Sequence, residues 1–283
     1  MSWLRAVAFL LLCPVAADAF VCITSKPGGP CVHWDPGVAP LQTFLGDAGG
    51  PFLNGTQSWN ENVVNAAADW TAVGAAFQFT VTPGQQFTDP CAPDGSGIMC
   101  GPAGYSPVFF TPTACGAGFG DIIAQAVDCF GVDSGKMINA PVFVNSTVNL
   151  NAFDGPLRPQ IHDIRRVLLH ELGHVLGLDH PDLNGQTVDA IMNSRESDLD
   201  RLQADDRAGI LSLYPSTTTC IGDCSIRGSV TPVDLLTLVQ LALRGADASA
   251  CQSGDVDHDG LIRVHELLAA VDSARSNCPA PTA

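Results

Sequence analysis

Residues 170–180 read His-Glu-Leu-Gly-His-Val-Leu-Gly-Leu-Asp-His. His170 and His174 are four residues apart, so a helix places both on one face. Two imidazoles so placed can hold one zinc ion, and Glu171 beside the first stands where a general base for water would stand. Gly177 permits a backbone turn that most residues avoid, and that turn returns His180 as a third ligand. Three protein ligands leave one zinc position open, which is the catalytic and not the structural arrangement. Asp179, just before the third ligand, would fix the turn or orient a ligand.

The whole pattern, H-E-x-x-H-x-x-G-x-x-H, is the metzincin signature. Downstream, "DAIMNS" places Met192 in a turn that resembles the family's Met-turn, where the side chain is a packing base beneath the zinc site. An amphipathic helix with surface histidines would not explain Gly177, His180 and Met192 together. The chain resembles the matrixin branch beyond this motif. "RRVLLHELGHVLGLDHP" is similar to the matrixin active-site helix, "LQADDRAGILSLYP" to the closing helix, and "NVVNAAADWTAVGAAFQFT" to the first helix and strand. Ser194 stands two residues after Met192, where astacin-like and serralysin-like chains carry tyrosine. The resemblance implies a zinc endopeptidase acting on polypeptides. It also implies a sheet-edge strand beside the cleft over 122–129, and a specificity pocket shaped by 193–200. No P-R-C-G-x-P-D-like segment stands before the domain, so activity without proteolytic trimming is expected.

A second kind of chemistry sits near the C-terminus. Gly222-Asp223-Cys224 through Leu236 aligns with Gly254-Asp255-Val256 through Leu268 at a period of 32 residues. In the second copy Asp255, Asp257 and Asp259 occupy positions one, three and five of a calcium loop, Gly260 position six and Glu266 position twelve. In the first copy Asp223, Ser225 and Asp234 are secondary calcium candidates, and Arg227 stands where an acid belongs. The duplication resembles a dockerin type I repeat over residues 220–278, which implies docking to a cohesin-like partner. The plainer reading is a calcium-stapled cap or spacer.

The elements that must carry these residues follow from periodicity. Short strands are expected at 32–35, 77–81, 122–130 and 142–149, and long loops with short strands over 83–120. Helices are expected at 62–73, 161–176 and 198–214. The fold class is α+β: a metzincin-type domain with a twisted mixed sheet and an active-site helix, then a small helical calcium-loop domain. The divisions are 1–19, a signal peptide; 20–215, the zinc peptidase domain; 216–219, a linker; and 220–283, the duplicated calcium-loop module.

Arg5, the apolar run 6–16 and Ala17-Asp18-Ala19 fit an export signal cleaved before Phe20, and no stretch approaches a transmembrane length. A secreted, extracellular monomer is expected. The chain holds 11 cysteines, and loss of Cys13 leaves an even number. Cys22 with Cys31, Cys91 with Cys100, and Cys115 with Cys129 are local pairs; Cys220, Cys224, Cys251 and Cys278 allow three pairings. A net charge of −16 disfavours nucleic acid and anionic membrane as partners. Two rival functions remain at this level: a non-catalytic calcium-dependent binding module on the same scaffold, and a zinc amidase.

Overall fold

The computed structural model describes residues 20–47, 49–91, 102–215, 220–225, 227–256, 260–276 and 278. The expected signal peptide, the joint at 216–219, and Cys100, Asp257 and Asp259 lie outside the described residues. The strands are β1 (Val38–Phe44), β2 (Gln78–Pro83), β3 (Pro107–Thr111), β4 (Ala124–Ala126), β5 (Cys129–Phe130), β6 (Met137–Asn139), β7 (Val142–Asn145), β8 (Leu150–Asn151) and β9 (His162–Asp163). The helices are α1 (Trp59–Thr71), α2 (Ile164–Leu176), α3 (Ala204–Leu213), α4 (Pro232–Arg244) and α5 (Val264–Ser276).

One five-stranded sheet runs in the order β2-β1-β3-β7-β4. The first four are parallel, and β4 closes one edge antiparallel to β7. α1 buries Val63, Ala66, Ala67 and Trp70, an i, i+3, i+4, i+7 stripe. Ser58 caps it by accepting from Glu61 N–H at 3.1 Å. α2 buries Val167, Leu168, Leu169, Leu172 and Val175 in the same core. Asp163 caps α2, accepting from Arg165 and Arg166 N–H. Among the described residues, a separate small core of Leu238, Ala248, Cys251, Ile262 and Ala270 holds the C-terminal elements together.

Several expectations need correction. Residues 32–35 form no strand: His33 makes one isolated bridge to Lys136, and Trp34 turns into the core. The strand in that neighbourhood is β1, with Ala39, Leu41 and Thr43 facing in. The expected strand over 122–130 is two strands, because β7 begins just after Pro141, which has no N–H to extend the ladder. The strand expected to reach residue 149 stops at Asn145. There the Asn145 side-chain Oδ1 accepts from Thr147 N–H and Oγ1 while its Nδ2 donates to Ile122 O at 3.1 Å. The closing helix starts at Ala204 and not at 198, because Asp198 and Asp200 accept from Leu157 and Gly155 N–H instead. Cys22 pairs with Cys31, but Cys91 pairs with Cys115, not with Cys100. Cys115 sits in a tight turn bridged by Ala114 and Ala117, which presents its sulfur to Cys91. The last four cysteines pair as Cys220–Cys278 and Cys224–Cys251.

The C-terminal end of α2 is tied by groups from distant segments. Trp34 Nε1 donates to Val175 O and the Tyr214 hydroxyl to Leu176 O, each at 2.7 Å. The same hydroxyl accepts from Trp34 N–H at 3.0 Å. In Tyr214→Phe both the Leu176 carbonyl and the Trp34 N–H lose a buried partner. The variant should lose about 1–3 kcal/mol of stability, read from urea unfolding. Gly173 is constrained differently: a Cβ there would overlap Met192 Sδ and crowd Trp70. Gly173→Ala should destabilise by about 1–3 kcal/mol. Met192→Ala in the same chain should restore part of that loss. Additive losses in the double variant would contradict the contact.

Candidate active site

The three histidines meet at one point. Their Nε2 atoms lie 3.0 Å (His170–His180), 3.1 Å (His170–His174) and 3.1 Å (His174–His180) apart. α2 carries the first pair on one face. Gly177 ends the helix with φ 103°, and a Cβ there would overlap the Val32 carbonyl. The chain reverses, Ile23 N–H donates to Gly177 O at 2.8 Å, and His180 arrives opposite the pair.

The other ring nitrogens show which atoms are free. His170 Nδ1 lies 2.8 Å from Ile191 O, and His174 Nδ1 lies 2.8 Å from Leu178 O. A carbonyl only accepts, so each Nδ1 carries the proton and each Nε2 presents a lone pair. Lone pairs facing one another repel unless a cation sits between them. Tetrahedral ligands at about 2.0–2.1 Å from zinc would be separated by about 3.3 Å. The donor set and spacing therefore fit zinc. Burial, then the neighbouring imidazoles, push His170 down to about 3 and His174 to about 4, and burial lowers His180. Neutral imidazole is the form that binds a metal. Asp179 accepts from His180 N–H at 2.7 Å and so fixes the turn.

Glu171 lies beside this cluster, buried. Ala126 N–H, on edge strand β4, donates to its Oε2 at 2.6 Å. Burial raises its pKa to about 8, opposed by that hydrogen bond. A cation on the histidines would act the same way as the hydrogen bond. Met192 is 2 % exposed and packs beneath α2 against Gly173. Its turn is held from α3: Asp206 accepts from Ile191 N–H at 2.9 Å, Met192 N–H at 3.1 Å and Gln203 N–H at 2.7 Å. A cavity of about 460 Å³ opens beside the histidines between α2, β4 and the loop after Met192.

The expected residues fall into two places. His170, Glu171, His174, Gly177, His180 and Met192 come together. Asp223, Ser225, Asp234, Asp255 and Glu266 belong to the C-terminal elements. There Glu266 accepts from Val256 and Arg263 N–H, and Asp255 from Gly260 N–H at 2.9 Å. Gly260 takes φ +82°, in the left-handed region.

Three residues at or around the site were not foreseen. Asp128 lines the cavity with its Oδ1 enclosed and unpartnered, and burial pushes it up to about 7. A lone acid inside the apolar run 122–130 was the available signal. Trp34 and Tyr214 act only through long-range contacts, which no local pattern announces.

No curated protein matches the chain. The matrixin family model, peptidase M10, matches residues 52–215, which spans both the first helix and the closing helix. Together with the histidine cluster, the match makes the activity that of a zinc metalloendopeptidase, and this chain belongs to the matrixin family.

Proposed function

We propose that the chain is a secreted endopeptidase in which His170, His174 and His180 hold zinc and Glu171 is the general base. The carrying observation is the convergence of three Nε2 atoms, those of His170 and His174 oriented by the Ile191 and Leu178 carbonyls, beside one buried carboxylate. The four disulfides described suit an oxidising compartment.

A bound zinc ion supplies Lewis acidity for the scissile carbonyl and makes water nucleophilic near neutral pH. The remaining work falls to the chain. Glu171 Oε2 is fixed by Ala126 N–H, which leaves Oε1 to take the proton of the attacking water and return it to the leaving amine. β4 ends the sheet, so an extended peptide can add alongside it by main-chain hydrogen bonds. The loop 193–200 forms one wall of the cavity and is the source of side-chain preference. Polypeptide is thus the substrate in this reading. A purely binding role gives no reason to hold a carboxylate beside the three imidazoles.

The C-terminal part, residues 220–283, we read as a separate dockerin-like module that calcium stabilises, joined to the 20–215 domain through 216–219. Its own small core supports the division. The loop running from Asp255 to Glu266 supports one calcium site: its terminal carboxylates are buried and held by backbone N–H groups of the loop, Asp255 by Gly260 and Glu266 by Val256 and Arg263. The first loop makes the same kind of terminal hydrogen bonds but lacks acids at its third and fifth positions, where Ser225 and Arg227 stand. Asp223 accepts from Arg227 and Gly228 N–H, and Asp234 from Ser225 and Thr231 N–H. The exposed Val233, Leu236 and Leu243 of α4 and Val264 and Leu268 of α5 suit a docking face for a cohesin-like partner.

Glu171→Gln keeps the shape of the site but cannot accept the proton. It should retain zinc by metal analysis and lose on the order of 10²–10⁴ in kcat on a peptide substrate. Near-normal turnover with zinc bound would overturn the assignment. Asp255→Ala removes the lead carboxylate of the second loop. Calorimetry on the full chain should show one calcium site in the wild type and strong weakening in this variant, with little change in Asp223→Ala. Two equal sites, or none, would refute the reading.

A further inference from the structure

The two copies of the duplicated loop have different surroundings. In the second copy Gly260 holds position six, and among the described residues nothing lies within 4 Å of where its Cβ would stand. Gly228 holds the same position in the first copy, at φ +75°. Its neighbour is Gly74, two residues past the C-cap of α1 in the peptidase domain. A Cβ on Gly74 would lie 2.5 Å from Gly228 N, 2.8 Å from the Arg227 carbonyl carbon and 3.1 Å from Gly228 Cα. The three nearest atoms all belong to the loop, and none to Gly74's own domain. Backbone meets backbone here, and glycine on both sides permits it.

The closing helix brings the chain to this place. Ala76 N–H donates to Tyr214 O at 2.9 Å, so α3 ends beside the segment that carries Gly74. Gly228 follows Tyr214 by only 14 residues. A tether this short gives an effective concentration on the order of millimolar. A contact too small to join two separate proteins can then hold within one chain.

The tip itself is held by Asp223, whose buried Oδ2 accepts from Arg227 N–H at 2.8 Å and Gly228 N–H at 2.6 Å. A calcium loop also needs oxygens at positions three and five, and here Ser225 and Arg227 stand there. A loop that docks by its backbone needs no acid at either position. The copy without those acids is the copy whose tip touches the peptidase domain.

We propose that residues 227–228 form an interaction surface whose partner is this chain's own peptidase domain. The tip seats on Gly74 and fixes the C-terminal module against the domain. The first loop serves docking, and the second holds the ion. The exposed faces of α4 and α5 are then held at one angle to the cleft, whether or not a partner binds them.

The test is amide nitrogen relaxation by NMR on the full chain with zinc and calcium bound. A docked module tumbles with the domain, so amides of α1 and α4 should share one rotational correlation time. Gly74→Asn probes the contact from the domain side, since asparagine tolerates a left-handed backbone but its Cβ would strike the loop. The single time should split in this variant, with the shorter value on α4 and α5. Gly55→Asn is the control: Gly55 has the same φ of +88° and nothing within 4 Å of its Cβ, so one shared time should remain. Asp223→Ala loosens the tip from the module side and should also split the time, so the outcome does not hang on one variant. Amide shifts of the peptidase domain report in each case that it is still folded. Two correlation times in the wild type would overturn the proposal. So would one shared time kept in both Gly74→Asn and Asp223→Ala.

Discussion

An α-helix leaves its last four carbonyls without helical partners. In α2 these belong to Gly173, His174, Val175 and Leu176, and the way each is satisfied sets the geometry of the histidines. Leu178 and Gly177 N–H close the first two, at 3.0 and 2.7 Å. Trp34 Nε1 and the Tyr214 hydroxyl close the others. The first two bonds require the chain to reverse at a left-handed residue, and only glycine fits there, because Val32 O occupies the space of a Cβ. The reversal carries Leu178 O to His174 Nδ1 and brings His180 across to the helical pair. One helix end thus orients a ligand, places another, and joins the N-terminal segment to the closing helix.

The second support comes from α3. Asp206 gathers the Ile191 and Met192 N–H groups, and the turn so held aims Ile191 O at His170 Nδ1. Burial raises Asp206 to about 6, against those hydrogen bonds. The orientations of the His170 and His174 rings therefore depend on backbone carbonyls, which have no titration of their own, and burial favours the neutral form of all three imidazoles. The edge strand completes the site by fixing one oxygen of Glu171 and leaving the other to the cavity.

Much of this was legible in the sequence because it is local. The i, i+4 histidines, Glu171, Gly177 and His180 lie within 11 residues, and one turn of geometry relates them. The amphipathic stripe of α1 and the duplicated loops are local in the same sense. What could not be read depends on contacts between distant segments. Trp34 lies 141 residues from the carbonyl it caps. β1 is a buried interior strand, yet Pro40 and its small residues disguise it. Cys91 is nearer in sequence to Cys100 than to Cys115, and chain reversal beyond β3 decided the pairing. Asp128 read as part of a strand and stands instead as a cavity wall, because the ladder breaks before Pro141.

Zinc K-edge absorption on the zinc-loaded full chain addresses the central claim most directly, since it reads the ligands without reference to activity. Three imidazole nitrogens at about 2.0–2.1 Å with one further oxygen are expected. His180→Ala should lower the nitrogen count by one and leave the rest of the shell recognisable. A sulfur ligand at about 2.3 Å, or a shell unchanged by His180→Ala, would contradict a three-histidine site built on the end of α2.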